Sequence, residues 1–242
     1  MGRHDGEAFV TRSYSAELRQ LVAEVIRMGG LAEAQVVDAV DAVVRRDVAL
    51  AQALIVRDLR LDTLQAEVER RALALIAHHH PGEADLRRAI STLKLAMNLE
   101  RCGDLARNMA KRSLVLSAGE PLLPLTGAIE RLGRLVSSRL RAVLDAYAAG
   151  DVEPALDVWR RDGEVDEHYE SLFRELLVHM SNGPDSVASG AHLLFVAKNL
   201  ERIGDHATNI AEILHFQMTG QELQGERPKV SLPNAAVEGR NA

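Results

Sequence analysis

Glu100, Asp104 and Asn108 stand at i, i+4 and i+8, and Glu201, Asp205 and Asn209 repeat that spacing. On a helix each triplet falls into one stripe, drifting about 40° per step. Asp58 with Asp62, and Asp162 with Asp166, form further i, i+4 acidic pairs. Like charges at that spacing cost about a few tenths of a kcal/mol per pair. Such pairs, placed equivalently twice, invite a cationic ligand. Carboxylates beside an amide are hard oxygen donors, suited to Mg2+, Mn2+, Ca2+ or iron rather than to a thiolate-preferring ion. A solvated acidic face is the competing account, because most charged stripes are that. Spacing alone leaves both open.

The neighbours of the stripes have two readings as well. Arg101 and Arg202 could pair with the carboxylates or orient ligands. Gly103 and Gly204 sit mid-motif, where glycine costs about 1 kcal/mol against alanine; they serve either close helix approach or room for a ligand. His206 faces Leu105 in the repeat, so a symmetric site cannot require it. His78, His79 and His80 fall in an expected loop with no acidic or cysteine partner near in sequence, which favours surface polarity over metal binding. Cys102 occupies a core seam and reads as a buried small hydrophobe rather than a nucleophile. Trp159 and Phe173 read as packing residues. Glu212 and His215 make a single Glu-x-x-His, whereas a di-iron bundle needs that motif twice. No phosphate-cradling glycine loop, His-Glu-x-x-His or nucleophile elbow occurs, so no enzyme is expected.

The elements that must position these residues are legible because the chain repeats itself. Asn98–Ala110 read against Asn199–Ala211 gives nine identities in thirteen positions, where roughly one is expected by chance. The offset is 199 − 98 = 101 there and 161 − 57 = 104 for Arg57-Asp58 against Arg161-Asp162. The difference falls between His78–Gly82 and Ser181–Pro184, which places a loop in each half. Three helical segments per half follow, about 15–46, 47–77 and 83–117, then 121–149, 151–181 and 185–219. Leu193, Val196, Leu200, Ile203, Ala207, Ile210 and Leu214 step by alternating threes and fours, the seam of a bundle helix. Leu95, Leu99, Cys102, Ala106 and Met109 match it, and Leu54, Leu61, Leu64, Val68 and Leu75 do the same in the second segment. Measured from these seams, the acidic stripes are expected to face away from the core of their own bundle. Asp47 and Asp151 suit N-caps, Gly150 and Gly220 suit helix ends, and Gly29-Gly30 should weaken or bend the first helix. The fold class is therefore all-α, two tandem pseudo-symmetric three-helix bundles. Residues 14–117 form the first repeat, 118–219 the second, and 220–242 a tail expected to lack structure.

Composition agrees. Of 242 residues only 3% are aromatic, and a core of small aliphatic side chains suits packed helices. The net charge of −6 argues against a dedicated nucleic-acid binder. One cysteine, no secretory leader and no apolar run of spanning length together predict a cytoplasmic protein that reaches any membrane through partners.

Asn-Leu-Glu-Arg-x-Gly-Asp-x-Ala-x-Asn, present twice, resembles the repeated signature of the PhoU family. Met28–Leu31, Arg57-Asp58 with Asp62, and Ala84–Arg87 extend the likeness over about residues 14–218. The resemblance implies a negative regulator of the phosphate-starvation response and of phosphate uptake. Such a protein links the transporter ATPase subunit PstB to the sensor histidine kinase PhoR, usually as a homodimer or larger oligomer. It also implies metal on the acidic signatures (iron, zinc, manganese or magnesium). Carried onto this chain, the ligands are Glu100, Asp104, Glu201 and Asp205, with Asp58, Asp62, Asp162 and Asp166 from the second helices. Asn108, Asn209, Arg101 and Arg202 would stand behind them. Cys102 and Leu105, against Ile203 and His206, suggest two sites of unequal affinity. The alternative is a metal-binding or storage bundle without a phosphate-signalling role.

Overall fold

The computed structural model describes residues 3–119, 123–225 and 227, with the backbone alone at 3–13, 123, 124 and 185. Its helices are α1 (Arg3–Arg45), α2 (Val48–Arg57), α3 (Leu59–His79), α4 (Glu83–Leu116), α5 (Leu123–Ala149), α6 (Glu153–Arg160), α7 (Gly163–Met180) and α8 (Pro184–Thr219). No strand occurs among the described residues. The architecture is the expected pair of three-helix bundles, with the second helix of each half broken into two pieces. The four longest helices form the inner layer: α4 packs on α1 and α8, and α5 packs on α1 and α8. Outside them, α2 and α3 lie against α1 and α4, and α6 and α7 against α5 and α8.

The seams read from periodicity are the core. Leu95, Leu99, Cys102, Ala106 and Met109 of α4 and all seven seam residues of α8 are buried. One continuous apolar cluster runs through both halves. Complete burial pushes the Cys102 thiol up to about 12. Helix ends follow the local chemistry. Asp47 Oδ1 accepts from the Leu50 amide at 2.9 Å and starts α2. Gly150 and Gly220 take φ of 67° and 75°, the left-handed conformation that ends a helix. Arg46, itself at φ 57°, reaches across and donates Nη2 to the Ser117 carbonyl at 2.8 Å, closing the end of α4.

Several expectations need correction. α1 begins at Arg3, twelve residues before the expected start, and it runs unbroken through Gly29-Gly30. Those glycines do not interrupt it. A Cβ on Gly29 would lie 2.5 Å from Leu144 Cδ2 of α5, and one on Gly133 would lie 2.6 Å from Val40 Cγ2 of α1. Gly29 and Gly133 are repeat counterparts, and so are Val40 and Leu144. Glycine is present so that α1 and α5 can approach closely, twice over. His78 and His79 form the last turn of α3 rather than a loop, and His80 closes it at φ 46°. His79 packs edge-on against Tyr14 and lies 3.4 Å from Glu17. Of the expected unstructured tail, Gln221–Gly225 and Arg227 carry neither helix nor strand, and the rest lies outside the described residues.

Candidate functional site

The breaks in the second helices fall at the acidic residues. α2 ends and α3 begins around Asp58, where the Leu61 amide reaches back to the Asp58 carbonyl at 2.8 Å in a tightened turn. α6 and α7 part in the same way at Arg161-Asp162, with the Val165 amide on the Asp162 carbonyl at 3.2 Å. Each break starts a new helix just after one aspartate and puts the next, Asp62 or Asp166, in its first turn. A helix N-terminus carries about half a positive charge, so it offsets the repulsion that an unbroken i, i+4 aspartate pair would face.

In the first half Asp58 faces inward. It is 1% exposed. Asp58, Asp62 and Asp104 each bring one oxygen within 4.8 Å of the other two. Glu100 stands beside them: burial pushes its carboxyl above the usual range, and the charges of Asp104, Asp62 and Asp58 add to the rise while Arg101 opposes it. The Asp58 carboxyl is likewise raised, by burial first, against the pull of Arg107. The stripe thus lies in a half-buried groove between α3 and α4, rather than on an open face. Its end is different, since Asn108 is exposed.

Arg107, which sequence reasoning passed over, is the central cation. Its Nη1 donates to Asp58 Oδ2 at 2.5 Å, and its Nη2 is ion-paired with Asp104 Oδ1 at 2.9 Å. Arg101 by contrast is exposed and touches Glu100 and Asp104 from outside, at 3.4 and 3.5 Å. Beside this cluster two buried oxygens have no hydrogen-bond donor, Asp58 Oδ1 and Gln35 Oε1. Both point at Gly103, where a Cβ would lie 2.9 Å from the Gln35 oxygen and 3.1 Å from that of Asp58. Gly103 also lies tight against Leu61, and Gly204 against Val165 in the other half, so both glycines permit close helix approach. Three clustered carboxylates, one of them carrying a donorless buried oxygen, with the donorless Gln35 oxygen close by, form a donor set that fits a hard divalent cation, with Arg107 sharing the charge.

The second half assembles its counterparts differently. Asp162 is buried and accepts from Thr208 Oγ1 at 2.6 Å. Thr208 is the counterpart of Arg107 and Asp162 that of Asp58, so the same contact is made by a hydroxyl in place of a guanidinium. Glu201 takes Lys198 Nζ at 2.8 Å. Arg202 is exposed, and Asp166 and Asp205 are half-buried. Among the described residues no group of three acids in this half converges as closely as that of the first. Arg139 of α5, the counterpart of Gln35, is buried and pairs with Glu164 instead.

The halves meet beside the second stripe. Asn98 Nδ2 donates to the Lys94 carbonyl at 2.9 Å, which turns its Oδ1 toward α8. That oxygen is 2.9 Å from His206 Nδ1 and accepts from Asn209 Nδ2 at 3.3 Å. An amide oxygen only accepts, so His206 carries its proton on Nδ1. Burial, the first cause, keeps His206 below its ordinary pKa. His206 therefore ties α8 to α4 and is not spent on the carboxylates. Trp159 does more than pack: its Nε1 donates to Glu212 at 3.1 Å. Phe173 packs against Tyr169, as a packing residue should.

Comparison with known proteins converges on one family. The PhoU domain pattern matches residues 25–113 and 129–214. A phosphate-specific transport system accessory protein PhoU homolog of Caulobacter vibrioides is 57% identical over 91% of this chain and 96% of its own length. The homolog in Rhizobium meliloti is 43% identical over 92% and 94%. The crystal structure of PhoU from Pseudomonas aeruginosa superposes with a TM-score of 0.83 at 33% identity, covering 86% of this chain and all of that one. The phosphate transport system regulatory protein PhoU from Streptococcus pneumoniae gives 0.79 at 27% identity, covering 87% and 99%.

Proposed function

Because the chain belongs to the PhoU domain family, we propose that it is an accessory regulator of phosphate-specific transport, restraining uptake and the starvation response when phosphate is plentiful. The observation that carries this reading is identity to a phosphate-transport accessory protein across nearly the whole chain, 57% over 91% of it. The finer reading is an adaptor that joins the transporter ATPase PstB to the sensor kinase PhoR as a cytoplasmic homodimer. What supports an adaptor is that the described residues are all-helical and that no described helix is long and apolar enough to cross a membrane. A body of that kind would reach a membrane transporter by docking on its soluble parts.

The acidic clusters are read as metal sites. Asp58, Asp62 and Asp104 would hold an ion in the first half, with Glu100 beside them and Gln35 beneath. Asp162, Asp166, Glu201 and Asp205 are the corresponding residues in the second. An ion held there would supply a positive charge that ties helix two to helix three. The donor set favours manganese, magnesium or iron over zinc.

The test of function is phosphatase activity under phosphate-repressed control in the native host, grown in phosphate-rich medium with and without this gene. High activity in the deletion strain alone, reversed by a plasmid copy, supports the regulator. Unchanged activity would overturn it and leave the metal-storage bundle as the better account. Pull-down of PstB and PhoR with the full chain tests the adaptor reading separately.

A further inference from the structure

α1 is apolar wherever it is buried, with one exception. Among its described side chains, Gln35 is the polar one that is buried, and it is 2% exposed. Its Oε1 has no hydrogen-bond donor. An amide carbonyl left in that state costs about 1–3 kcal/mol, a cost that leucine or methionine at this position would not carry. The helix therefore keeps a donorless oxygen where packing alone favours an apolar side chain.

That oxygen is aimed at the first acidic cluster. Gly103 of α4 has no side chain, and Gln35 Oε1 and Asp58 Oδ1 share the space beside it: a Cβ there would lie 2.9 Å from the first and 3.1 Å from the second. Asp58 Oδ1 has no donor either. An amide oxygen and a carboxylate oxygen only accept, so neither can satisfy the other. A cation or a donor between them satisfies both. Asp58 is also one of the three carboxylates that converge, with Asp62 and Asp104. Hard divalent cations take about six to eight oxygens and mix carboxylates with amide carbonyls. A neutral carbonyl suits this group, because it adds a bond to the ion without adding to the repulsion among the carboxylates.

The second half is an internal control. At the position of Gln35, α5 carries Arg139, which is buried and paired with Glu164. Among the described residues no three acids of that half converge as Asp58, Asp62 and Asp104 do. The first helix thus offers an acceptor in the half where carboxylates converge, and a donor in the half where they do not.

We propose that Gln35 is a ligand of the ion held by the first cluster: its Oε1, delivered from α1, joins Asp58, Asp62 and Asp104 in an all-oxygen site. This rests on the reading of that cluster as a metal site. It adds the remaining helix of the bundle, so a bound ion pins α1 as well as α3 and α4. An ion that binds only the folded arrangement stabilises it in proportion to its affinity, and Gln35 sets part of that affinity.

The test uses the full chain, wild type, Gln35→Met, Gln35→Glu and Asp104→Asn. Mn2+ is titrated by calorimetry, and Tm is measured in EDTA. The binding step that Asp104→Asn abolishes belongs to the first cluster. Gln35→Met keeps a side chain of similar size and removes the oxygen. It should weaken that step about tenfold, while its Tm in EDTA equals or exceeds that of the wild type, because a donorless carbonyl has gone. Gln35→Glu returns an oxygen at the same reach. It should bind Mn2+ at least as tightly as the wild type and melt lower in EDTA, where one more buried carboxylate has no ion. A purely structural Gln35 would move Tm and affinity in the same direction. Unchanged Mn2+ affinity in Gln35→Met, or a Tm in EDTA below that of the wild type, overturns the ligand role, makes a buried water the partner of the oxygen, and leaves the metal reading standing. No Mn2+ binding by the wild type overturns the metal reading and the part given to Gln35 with it.

Discussion

Replacing Arg107 by methionine keeps an unbranched apolar stem and deletes the guanidinium and its charge. Asp58 is 1% exposed, and Arg107 is the donor that reaches its Oδ2; the other oxygen, Oδ1, has none. Removing one member of a fully buried ion pair costs about 3–5 kcal/mol, because the survivor is left as an uncompensated charge. Arg107 is a quarter exposed and water can enter where it stood, so about 2–3 kcal/mol is the reasonable expectation. For a chain of this size that lowers Tm by roughly 4–12 °C. The pH dependence has a definite sign. The folded-state pKa of Asp58 is already raised, and loss of Arg107 raises it further. Stability associated with this group is full below its unfolded pKa, near 3.8, and is lost as pH rises through the higher folded value. The deficit of Arg107→Met is therefore largest at neutral pH and shrinks on acidification. Urea unfolding across that range, followed by circular dichroism, measures it. Asp58→Asn added to Arg107→Met should recover most of the loss, since no charge then stays buried. A single variant as stable as the wild type, or a double variant no better than the single, would refute the role given to Arg107.

Other outcomes are equally specific. Gly133→Ala should destabilise the chain by about 1–2 kcal/mol in urea unfolding, because overpacking against the stiff Val40 exceeds the gain in helix propensity. Cys102 should resist a thiol reagent in native protein and react fully in denaturant, since burial holds it as a thiol with a pKa of about 12; rapid labelling without denaturant would refute its packing. Glu201→Ala with Asp205→Ala should lower metal content measured on protein purified without chelators, and unchanged content would remove those residues from the ligand set. Arg46→Ala should cost about 1 kcal/mol through the loss of its bond to the end of α4, visible as faster amide exchange around Val115–Ser117.

The repeat, the six segments and the inward seams were all legible, because a duplicated pattern and a helical period survive in one dimension. The stripes of acidic residues were legible for the same reason, and of them the structure draws Asp58, Asp62 and Asp104 together. What escaped was whatever depends on a neighbour from another helix. The break at Asp58 has no glycine or proline to announce it; it follows from placing two aspartates in a half-buried groove, where a second helix start relieves their repulsion. Arg107 looked like an unremarkable change opposite Thr208 until the fold placed both on equivalent aspartates. Gln35 is 23 residues from Asp58, and nothing local connects them. Gly29-Gly30 reads in sequence as a weak or bent point of α1; α1 continues through it, and propensity cannot register the Leu144 side chain that fills the space beside Gly29. Arg227 belongs to a stretch whose composition promised no structure, and its side chain is nevertheless anchored by Glu212 and Asn209 of α8.

The close approaches of α1 and α5, Gly29 on Leu144 and Gly133 on Val40, have the form of an isologous interface, the kind made by two copies of one chain related by a two-fold axis. In a true dimer every substitution is felt twice, and neither copy can change alone. Joining the two copies in one polypeptide removes that constraint while keeping the geometry. One copy was then free to hold its guanidinium inside the groove and the other to give it up, an asymmetry that no symmetric pair of identical subunits could have acquired.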